Sequence, residues 1–255
     1  QAHPQVAVVQ LGGCMAMGSV CSGTDAAGLA RRQRAADAGA IEAIVAAMQA
    51  HPQEGEVQED GCEALANVCY GDDAAGRARS QRAADAGAIE AIVAAMQAHP
   101  QVAGVQQQGC VALVNVCSGD DGAGRARSQR AAAAGAIEVV VAAMQAHPQV
   151  TEVQEEGCAA LVNVCSGADG AGLARIQRAA RTRAARSRRG RDRGGCGGAA
   201  GSPAVARKQR AAAGGAIEAA VAAMQAHPQA CVHAADWLRG AGQFVLRRRR
   251  RSART

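Results

Sequence analysis

Aromatic residues are almost missing from this chain, since one Trp, one Tyr and one Phe occur among its 255 residues. A core without aromatic rings must be built from Ala, Val, Ile, Leu, Met and Cys, which bury little apolar area per residue. One small unit of this composition gains little stability by itself. Stability must therefore come from packing several units against each other.

Long apolar runs, lysines and closely spaced cysteine pairs are also scarce. No run is long enough to span a bilayer, and no Cys-x-x-Cys pair supports a zinc site. Lys208 is the only lysine among 28 basic residues. No nucleophile–base pair, phosphate-binding glycine loop or metal-ligand cluster is visible, so the sequence predicts no enzymatic activity and no cofactor.

The net charge of +6 comes from two segments and not from the rest of the chain. Seven arginines lie in 181–193, and six lie in 247–254. Without these thirteen arginines and Asp192, 15 basic residues remain against 21 acidic ones, a net charge of −6. An argument for nucleic-acid binding from the basic pI therefore concerns the two segments alone.

A stretch reading AADAGAIEAIVAAMQAHPQ recurs almost letter for letter along the chain. Gly39, Gly87 and Gly135 open copies that lie 48 residues apart, and Gly215 opens another copy 80 residues further on. A period of this length is typical of helical solenoids, in which each unit buries its apolar face only against its neighbours. Solenoids usually serve as binding surfaces.

One unit, residues 72–119, predicts three helices and no strand. Asp72-Asp73 suits the cap of an Ala-rich first helix, and His99-Pro100 ends the second helix because proline cannot continue it. The third helix carries its own apolar stripe. One face of the second helix carries apolar residues at i, i+3, i+4 and i+7, namely Ile89, Ile92, Val93 and Met96.

These units resemble the armadillo repeat. That family opens its second helix with Gly-Ala-Ile, as this chain does at 39, 87, 135 and 215, and its third helix is close to the sequences CEALANVC, CVALVNVC and CAALVNVC found here. The His-Pro ending and the VQxxGC start of the third helix are most similar to the armadillo repeat-containing protein six type. The resemblance implies an all-α, right-handed α-solenoid of three-helix repeats. HEAT repeats, the structural alternative, have two helices and lack these residues.

The resemblance divides the chain into five repeats and a tail. The chain begins at Gln1 within a unit, which indicates a fragment of a longer protein or a gene model that lacks its start. The predicted segments are a partial repeat at 1–22, repeats at 23–71, 72–119 and 120–167, a repeat at 168–229 interrupted by an Arg/Gly-rich insertion at 181–204, and a basic non-repeat tail at 230–255.

The resemblance also implies a peptide-binding groove along the third helices. Asn67, Asn115 and Asn163 recur 48 residues apart, and the matching Asn of armadillo proteins hydrogen-bonds the backbone of an extended bound peptide. An amide suits this role because it offers both a donor and an acceptor. An alternative is that each Asn satisfies the backbone of the adjacent unit, because a polar residue in a packed helix needs partners.

The groove of this chain differs from that of the nuclear-import adaptors of the family. Those adaptors carry Trp one turn before the Asn, and the corresponding positions here are Met15, Glu63, Val111 and Ala159. This difference argues against binding basic import signals in that manner. The acidic pairs Glu59-Asp60 and Glu155-Glu156 still favour a partly basic partner, so we expect an interaction scaffold that holds an extended protein segment.

Eight of the ten cysteines form pairs seven residues apart, such as Cys110/Cys117. Seven residues of helix rise about 10.5 Å, which is too far for a disulfide within a pair. We therefore expect buried thiols that act as small core residues and a reducing compartment, the cytoplasm, the nucleus or both.

The recurring histidines before proline are expected to be structural. The residues Tyr70-Gly71-Asp72-Asp73 spell a polymerase motif, but they are expected to form an interhelical loop.

Two other classes of function stay open. A nucleic-acid-associated protein would act through the Arg-rich segments, with basic contacts from Arg186, Arg188, Arg189 and Arg191. The flanks of 181–204 read ARIQRAA and ARKQRAA, the same repeat position 32 residues apart, so a retained intron explains the insertion as well as a functional loop does. The repeats are also compatible with the regulatory arm of a larger enzyme. No membrane partner and no small-molecule substrate are expected.

Overall fold

A computed structural model of the protein describes residues 6–165. Within that range the chain forms ten α-helices and no strand, which confirms the prediction of an all-α structure for these residues. None of these helices is long and apolar enough to cross a membrane. In chain order the helices are α1 Ala7–Val20, α2 Ala26–Asp37, α3 Ala40–Ala50, α4 Gly55–Cys69, α5 Ala74–Asp85, α6 Ala88–Ala98, α7 Ala103–Val116, α8 Gly122–Ala134, α9 Ala136–Ala146 and α10 Thr151–Cys165.

After α1, the helices come in sets of three, which we call unit A (α2–α4), unit B (α5–α7) and unit C (α8–α10). The first, second and third helices of each unit have similar lengths and similar sequences. The helix α1 has the sequence position of a third helix. The third helices pack side by side in the order α1, α4, α7 and α10, and each second helix packs on the third helix of its own unit. The predicted segments at 168–229 and 230–255 lie outside the described residues.

Each first helix begins at an aspartate that caps it. The Oδ1 atoms of Asp25, Asp73 and Asp121 accept hydrogen bonds from the backbone N–H groups three residues on, at 2.8, 2.7 and 2.7 Å. A carboxylate here satisfies an otherwise unpaired N–H group and faces the positive end of the helix dipole. The predicted Asp-Asp start of the first helix is thereby confirmed in unit B.

The turn before each first helix requires glycine at two positions. Gly71 and Gly119 have φ values of 125° and 111°, in the left-handed region that a residue with a Cβ atom adopts only at a cost. At Gly76 and Gly124, an added Cβ would lie 2.2 Å from the carbonyl oxygen of the turn glycine. The first helix can therefore close on its turn only where glycine stands.

Each second helix buries one face, as its spacing predicts. Ile89, Ile92 and Met96 are all buried, and a left-handed glycine, Gly87 with φ of 85°, precedes the helix. Met96 fits because Gly109 lies opposite on the third helix, where an added Cβ would be 2.6 Å from the Met96 Cγ. The pairing of a long flexible side chain with a glycine fills this interface without an aromatic ring.

The end of each second helix is held by a glutamine of the following helix. The Nε2 atom of the buried Gln106 donates to the carbonyl oxygens of Met96 and His99 at 2.9 and 2.8 Å. Gln58 and Gln154 make the corresponding bonds in the other two units. These bonds satisfy carbonyls that a helix end leaves unpaired.

We expect Gly124→Ala to destabilise the protein and Gly122→Ala to leave it unchanged or slightly more stable. The methyl group added at position 124 would overlap a backbone carbonyl, and such overpacking costs about 1–3 kcal/mol. An added Cβ at Gly122 meets nothing within 4 Å, and Ala in a helix is favoured over Gly by roughly 0.5–1 kcal/mol.

The measurement is urea-induced unfolding of the full chain, followed by circular dichroism at 222 nm. Equal midpoints for the two variants would contradict the close approach at Gly124.

Candidate functional site

The candidate surface, which we call the third-helix surface, is formed by α1, α4, α7 and α10. The predicted residues Glu63, Val111 and Ala159 occupy the same position on three successive third helices, and all three are half-buried. Met15 stands at this position on α1 and is 56% exposed. The structure therefore arranges these residues in one row across neighbouring helices.

The three asparagines hydrogen-bond the preceding third helix. The Nδ2 atoms of Asn67, Asn115 and Asn163 donate to the carbonyl oxygens of Gly18, Ala66 and Val114 at 3.1, 2.8 and 2.8 Å. This is the alternative role for these residues, in which each Asn satisfies the backbone of the adjacent unit. Binding of a partner segment by the same asparagines stays a prediction.

Two of these carbonyls, those of Gly18 and Val114, lie in the last turn of a helix, where no backbone N–H group of the same helix bonds them. The N–H groups four residues beyond Gly18 and Val114, those of Ser22 and Ser118, bond instead to Ser19 and Asn115. The asparagine amide supplies the missing donor from the next unit. Each bond thus ends one helix and at the same time joins it to its neighbour.

Other polar side chains join the first helices to the turns before them and to the preceding unit. The buried guanidinium of Arg127 donates through Nε to the Val116 carbonyl at 2.8 Å and through Nη2 to the Ser118 carbonyl at 2.6 Å. Its Nη1 donates to the Oε1 of Gln81 in unit B at 3.0 Å, and Arg79 repeats all three bonds one unit earlier. Sequence reasoning missed these buried arginines, because the other arginines of the same helices repeat with the same 48-residue spacing.

Unit A differs from units B and C at two residues that contact each other, Arg32 and Tyr70. Arg32 occupies the position of Ser80 and Ser128, whose hydroxyls donate to the carbonyls of Asn115 and Asn163 at 3.1 and 2.9 Å. The Arg32 Nε donates to the matching Asn67 carbonyl at 2.8 Å, and its guanidinium lies 4.6 Å from the centre of the Tyr70 ring. Burial lowers the pKa of Arg32, and the aromatic face partly offsets that cost by a cation–π contact.

The third helix of unit A carries a group of carboxylates, the acidic patch, made of Glu56, Glu59, Asp60 and Glu63. Within residues 6–165, no arginine forms a salt bridge with this patch. Burial, and then the neighbouring carboxylates, raise the pKa values of Glu59 and Asp60 above their ordinary range. These carboxylates are therefore less stable as anions than free carboxylates are, and a cation beside them would relieve that cost.

The charge of the surface changes from one unit to the next. At the positions of Glu59 and Asp60, the helix α7 carries Gln107 and Gln108, and α10 carries the predicted pair Glu155-Glu156. The centre of the third-helix surface is thus neutral, and acidic residues lie on both sides of it.

The eight described cysteines form no disulfide. Six of them are buried, as predicted, while Cys158 and Cys165 on α10 are half-buried. Burial raises the pKa of Cys14 to about 11 and those of Cys69 and Cys117 to about 12. Among the residues that the structure describes, no group of His, Cys, Asp and Glu could hold a metal ion.

The remaining sequence candidates are structural where they are described. The Nε2 atoms of His99 and His147 lie 2.9 and 3.0 Å from the carbonyl oxygens of Pro52 and Pro100 in the preceding unit. Tyr70-Gly71-Asp72-Asp73 lies between α4 and α5, so it is the predicted interhelical loop. The predicted basic contacts Arg186, Arg188, Arg189 and Arg191 lie outside the described residues.

No protein-family model, curated protein or solved structure matches the chain.

We expect Asn115→Ala to lower the free energy of unfolding even without a bound partner. The substitution removes the donor to the Ala66 carbonyl, and a lost hydrogen bond of this kind costs about 1 kcal/mol. Gln108→Ala on the same helix is the control, because the described residues show no hydrogen bond to Gln108. Urea unfolding of both variants measures the difference, and an unchanged midpoint for Asn115→Ala would contradict the structural role.

We expect stability to fall as the pH rises from 8 to 11, in part through the buried thiols. The folded-state pKa values of Cys69 and Cys117 lie near 12, above the ordinary value near 8.5. Their contribution is therefore fully present below that ordinary value and is lost as the pH rises toward the folded-state pKa. Unfolding of the wild type and of a Cys69→Ala, Cys117→Ala variant at both pH values measures the effect.

The double variant should have a lower free energy of unfolding than the wild type at pH 8. Its free energy of unfolding should also fall less than that of the wild type between pH 8 and pH 11. Maleimide labelling followed by peptide mass spectrometry gives a second readout, in which Cys69 and Cys117 label slowly in the native protein and rapidly in urea. Equal labelling in both states would mean that these thiols are accessible.

Proposed function

We propose that this protein is an interaction scaffold in which an armadillo-type solenoid holds an extended segment of a partner protein. The proposed architecture is a right-handed α-solenoid of three-helix repeats that continues the order of units A, B and C. Its working surface is the third-helix surface, with Glu63, Val111 and Ala159 in one row.

The repeated contact between units supports the solenoid. Side chains at positions 48 residues apart make the same bonds at successive boundaries, as with His99 and His147 on the proline carbonyls and Arg79 and Arg127 on the glutamine side chains of the preceding unit. Because each boundary uses the same residues, each unit is placed on the one before it in the same way. Such stacking produces an elongated array with one continuous face.

The observation that carries the binding proposal is the row of equivalent positions left half-buried on adjacent helices. Val111 and Ala159 present small apolar groups at this row, and Glu63 belongs to the acidic patch at one side. Met15 and Val162 extend the apolar character, with 56% and 42% of their surfaces exposed. An extended segment with apolar side chains at its centre and a basic side chain beside α4 fits this surface.

Part of the Asn115 side-chain amide is left for such a partner to bind. One N–H of its amide bonds the Ala66 carbonyl, while its second N–H and its oxygen have no partner among the described residues. An amide has two donors and an acceptor, so the remaining N–H and the oxygen offer a partner's peptide group one bond of each kind. The amide can therefore serve both the stacking and the binding.

Val111→Arg should weaken binding of an extended peptide at least tenfold. The substitution places a long cation at the centre of the row, where the helix now presents a small apolar side chain. The probes are peptides selected from a random twelve-residue library on the immobilised full chain, and the dissociation constants are measured by fluorescence anisotropy.

Two further variants make this test specific. Glu63→Lys should weaken the binding of peptides that carry Lys or Arg. Ala126→Arg on the exposed side of α8 should leave the dissociation constants unchanged. Asn115→Ala is unsuited to this test because it also changes the stacking of units.

Two results would overturn the proposal. Peptide affinities that are indifferent to Val111→Arg and Glu63→Lys would exclude this surface. Salt-sensitive binding of single-stranded RNA that disappears when Arg186, Arg188, Arg189 and Arg191 are replaced by Ala, with no selected peptide, would support the nucleic-acid alternative.

A further inference from the structure

One face of α1 is exposed at four positions that are buried in each of the later third helices. On α1 these positions hold Val9, Gly13, Ala16 and Val20, which we call the uncovered face of α1. Val9 and Val20 have 48% and 46% of their surfaces exposed. The same four positions on α4, α7 and α10 also hold Val, Gly, Ala and Val, and all of them are buried. The helix α1 therefore keeps an apolar face whose equivalents in units A, B and C are covered.

In units A, B and C, this face is covered by the second helix of the same unit. At Gly109 an added Cβ would lie 2.6 Å from the Cγ of Met96, and units A and C have the same contact between a glycine and a methionine. At Gly13 an added Cβ would meet nothing within 4 Å. The notch that receives a methionine in each unit is thus unfilled on α1 by any of the described residues.

A helix on the uncovered face would continue an existing row of helices. The second helices pack side by side in the order α3, α6 and α9, and Ala91 of α6 lines a small cavity together with residues of α3. Ala91 and its equivalent Val139 on α9 are only 7% and 6% exposed, whereas Ala43 at this position on α3 is half-buried. Both α1 and α3 are therefore less covered on the side where the next helix of the row would lie.

A charge beside the uncovered face indicates what this helix would carry. Arg82 of α5 pairs with Glu42 of α3, and Arg130 of α8 pairs with Glu90 of α6, each with an Nε–Oε1 distance of 2.6 Å. Each first helix thus pairs with the second helix of the preceding unit. Arg34 stands at this position on α2, is exposed, and forms no salt bridge within residues 6–165. A helix that lies on α1 as α3 lies on α4 would place a glutamate beside Arg34.

We infer that the uncovered face of α1, together with Arg34 and the adjoining side of α3, binds an amphipathic helix of a partner protein. That helix has the pattern Ile-Glu-x-Ile/Val-Val-x-x-Met, which α3, α6 and α9 share. Its Met enters the notch at Gly13, its Ile and Val side chains cover the valines of the uncovered face, and its Glu pairs with Arg34.

The partner is a different protein and not a second copy of this chain. The described helices that have the pattern, α3, α6 and α9, bury their apolar faces within their own units. They are therefore not available to another copy. The uncovered face also lies apart from the row of Glu63, Val111 and Ala159, so the inference does not depend on the binding of an extended segment to that row.

A stapled peptide tests the docking. The probe has the sequence of residues 87–101, a fluorescent label, and a hydrocarbon staple between positions 94 and 98, which are both exposed on α6. The staple is needed because a short isolated helix is marginally stable in water. Fluorescence anisotropy with the full chain should show saturable binding, and Met96→Asp in the peptide should weaken it at least tenfold. Absence of saturable binding at protein concentrations up to about 0.1 mM would overturn the inference.

Two neighbouring glycines of α1 provide a matched pair of variants that locates the site. Gly13→Leu should weaken peptide binding at least tenfold, because its side chain fills the notch. Gly12→Leu should leave the affinity unchanged, although an added Cβ at Gly12 likewise meets nothing within 4 Å. The positions equivalent to Gly12 carry larger side chains while a second helix is docked, namely Asp60, Gln108 and Glu156. Equal affinities of the two variants would exclude the uncovered face as the site.

A charge exchange tests the pairing with Arg34. Arg34→Glu should weaken binding of the peptide roughly threefold, as expected for an exposed ion pair. Glu90→Arg in the peptide should restore the affinity for the Arg34→Glu protein. The same loss with both peptides would contradict the placement of the helix.

Sedimentation equilibrium of the full chain tests the other occupant of this face. Gly13→Leu should leave the measured mass unchanged at every concentration. A dimer of the wild type that Gly13→Leu dissociates would assign the uncovered face to a second copy and overturn the inference.

Discussion

Hydrogen bonds from side chains to backbone carbonyls of the neighbouring unit are the interaction on which the described structure depends. At the boundary between units B and C, Asn163 donates to the Val114 carbonyl, Arg127 donates to the Val116 carbonyl, and the His147 ring lies against the Pro100 carbonyl. The core contributes contacts of small aliphatic residues and Met, which are non-directional. The directional bonds fix the register of one unit on the next, because a shift leaves buried carbonyls without donors.

The same bonds explain why Asn67, Asn115 and Asn163 cannot be assigned to ligand binding alone. An Asn in a packed third helix must satisfy its amide, and the carbonyl of the preceding third helix lies within reach at 2.8 Å for Asn115. Binding of a partner is then an additional use of the remaining donor and acceptor. Val111 and Ala159 have no side-chain hydrogen bond to the neighbouring unit, although Val111 also packs against the core, so they are better probes of function than the asparagines.

The units differ at a contact between the first and third helices and on the third-helix surface. Arg32 and Tyr70 replace two serines together, so that the larger cation is covered by the only aromatic ring among the described residues. On the surface, Glu59-Asp60 in unit A corresponds to Gln107-Gln108 in unit B. The first change keeps the hydrogen bond to the asparagine carbonyl, whereas the second leaves carboxylates with raised pKa values and no compensating cation within residues 6–165.

Much of the helical structure could be predicted because it follows from local rules. The spacing of Ile89, Ile92 and Met96 identifies a buried helix face, Asp73 identifies a helix start, and His99-Pro100 identifies a helix end. The candidate surface residues could be placed on one helix face by their 48-residue spacing. The buried state of Arg79 could not be predicted, because its helix carries other arginines and only contact with the turn separates them.

The sequence by itself determined the helices, their order and the residues that repeat, since these depend on periodicity and on caps within a few positions of each other. Only the tertiary structure decided which atoms the repeated side chains bond. The amide of Asn115 reaches a carbonyl 49 residues away, and Arg127 reaches a glutamine 46 residues away. Distances of this kind are set by how one unit lies on another, and no local pattern in the chain encodes them.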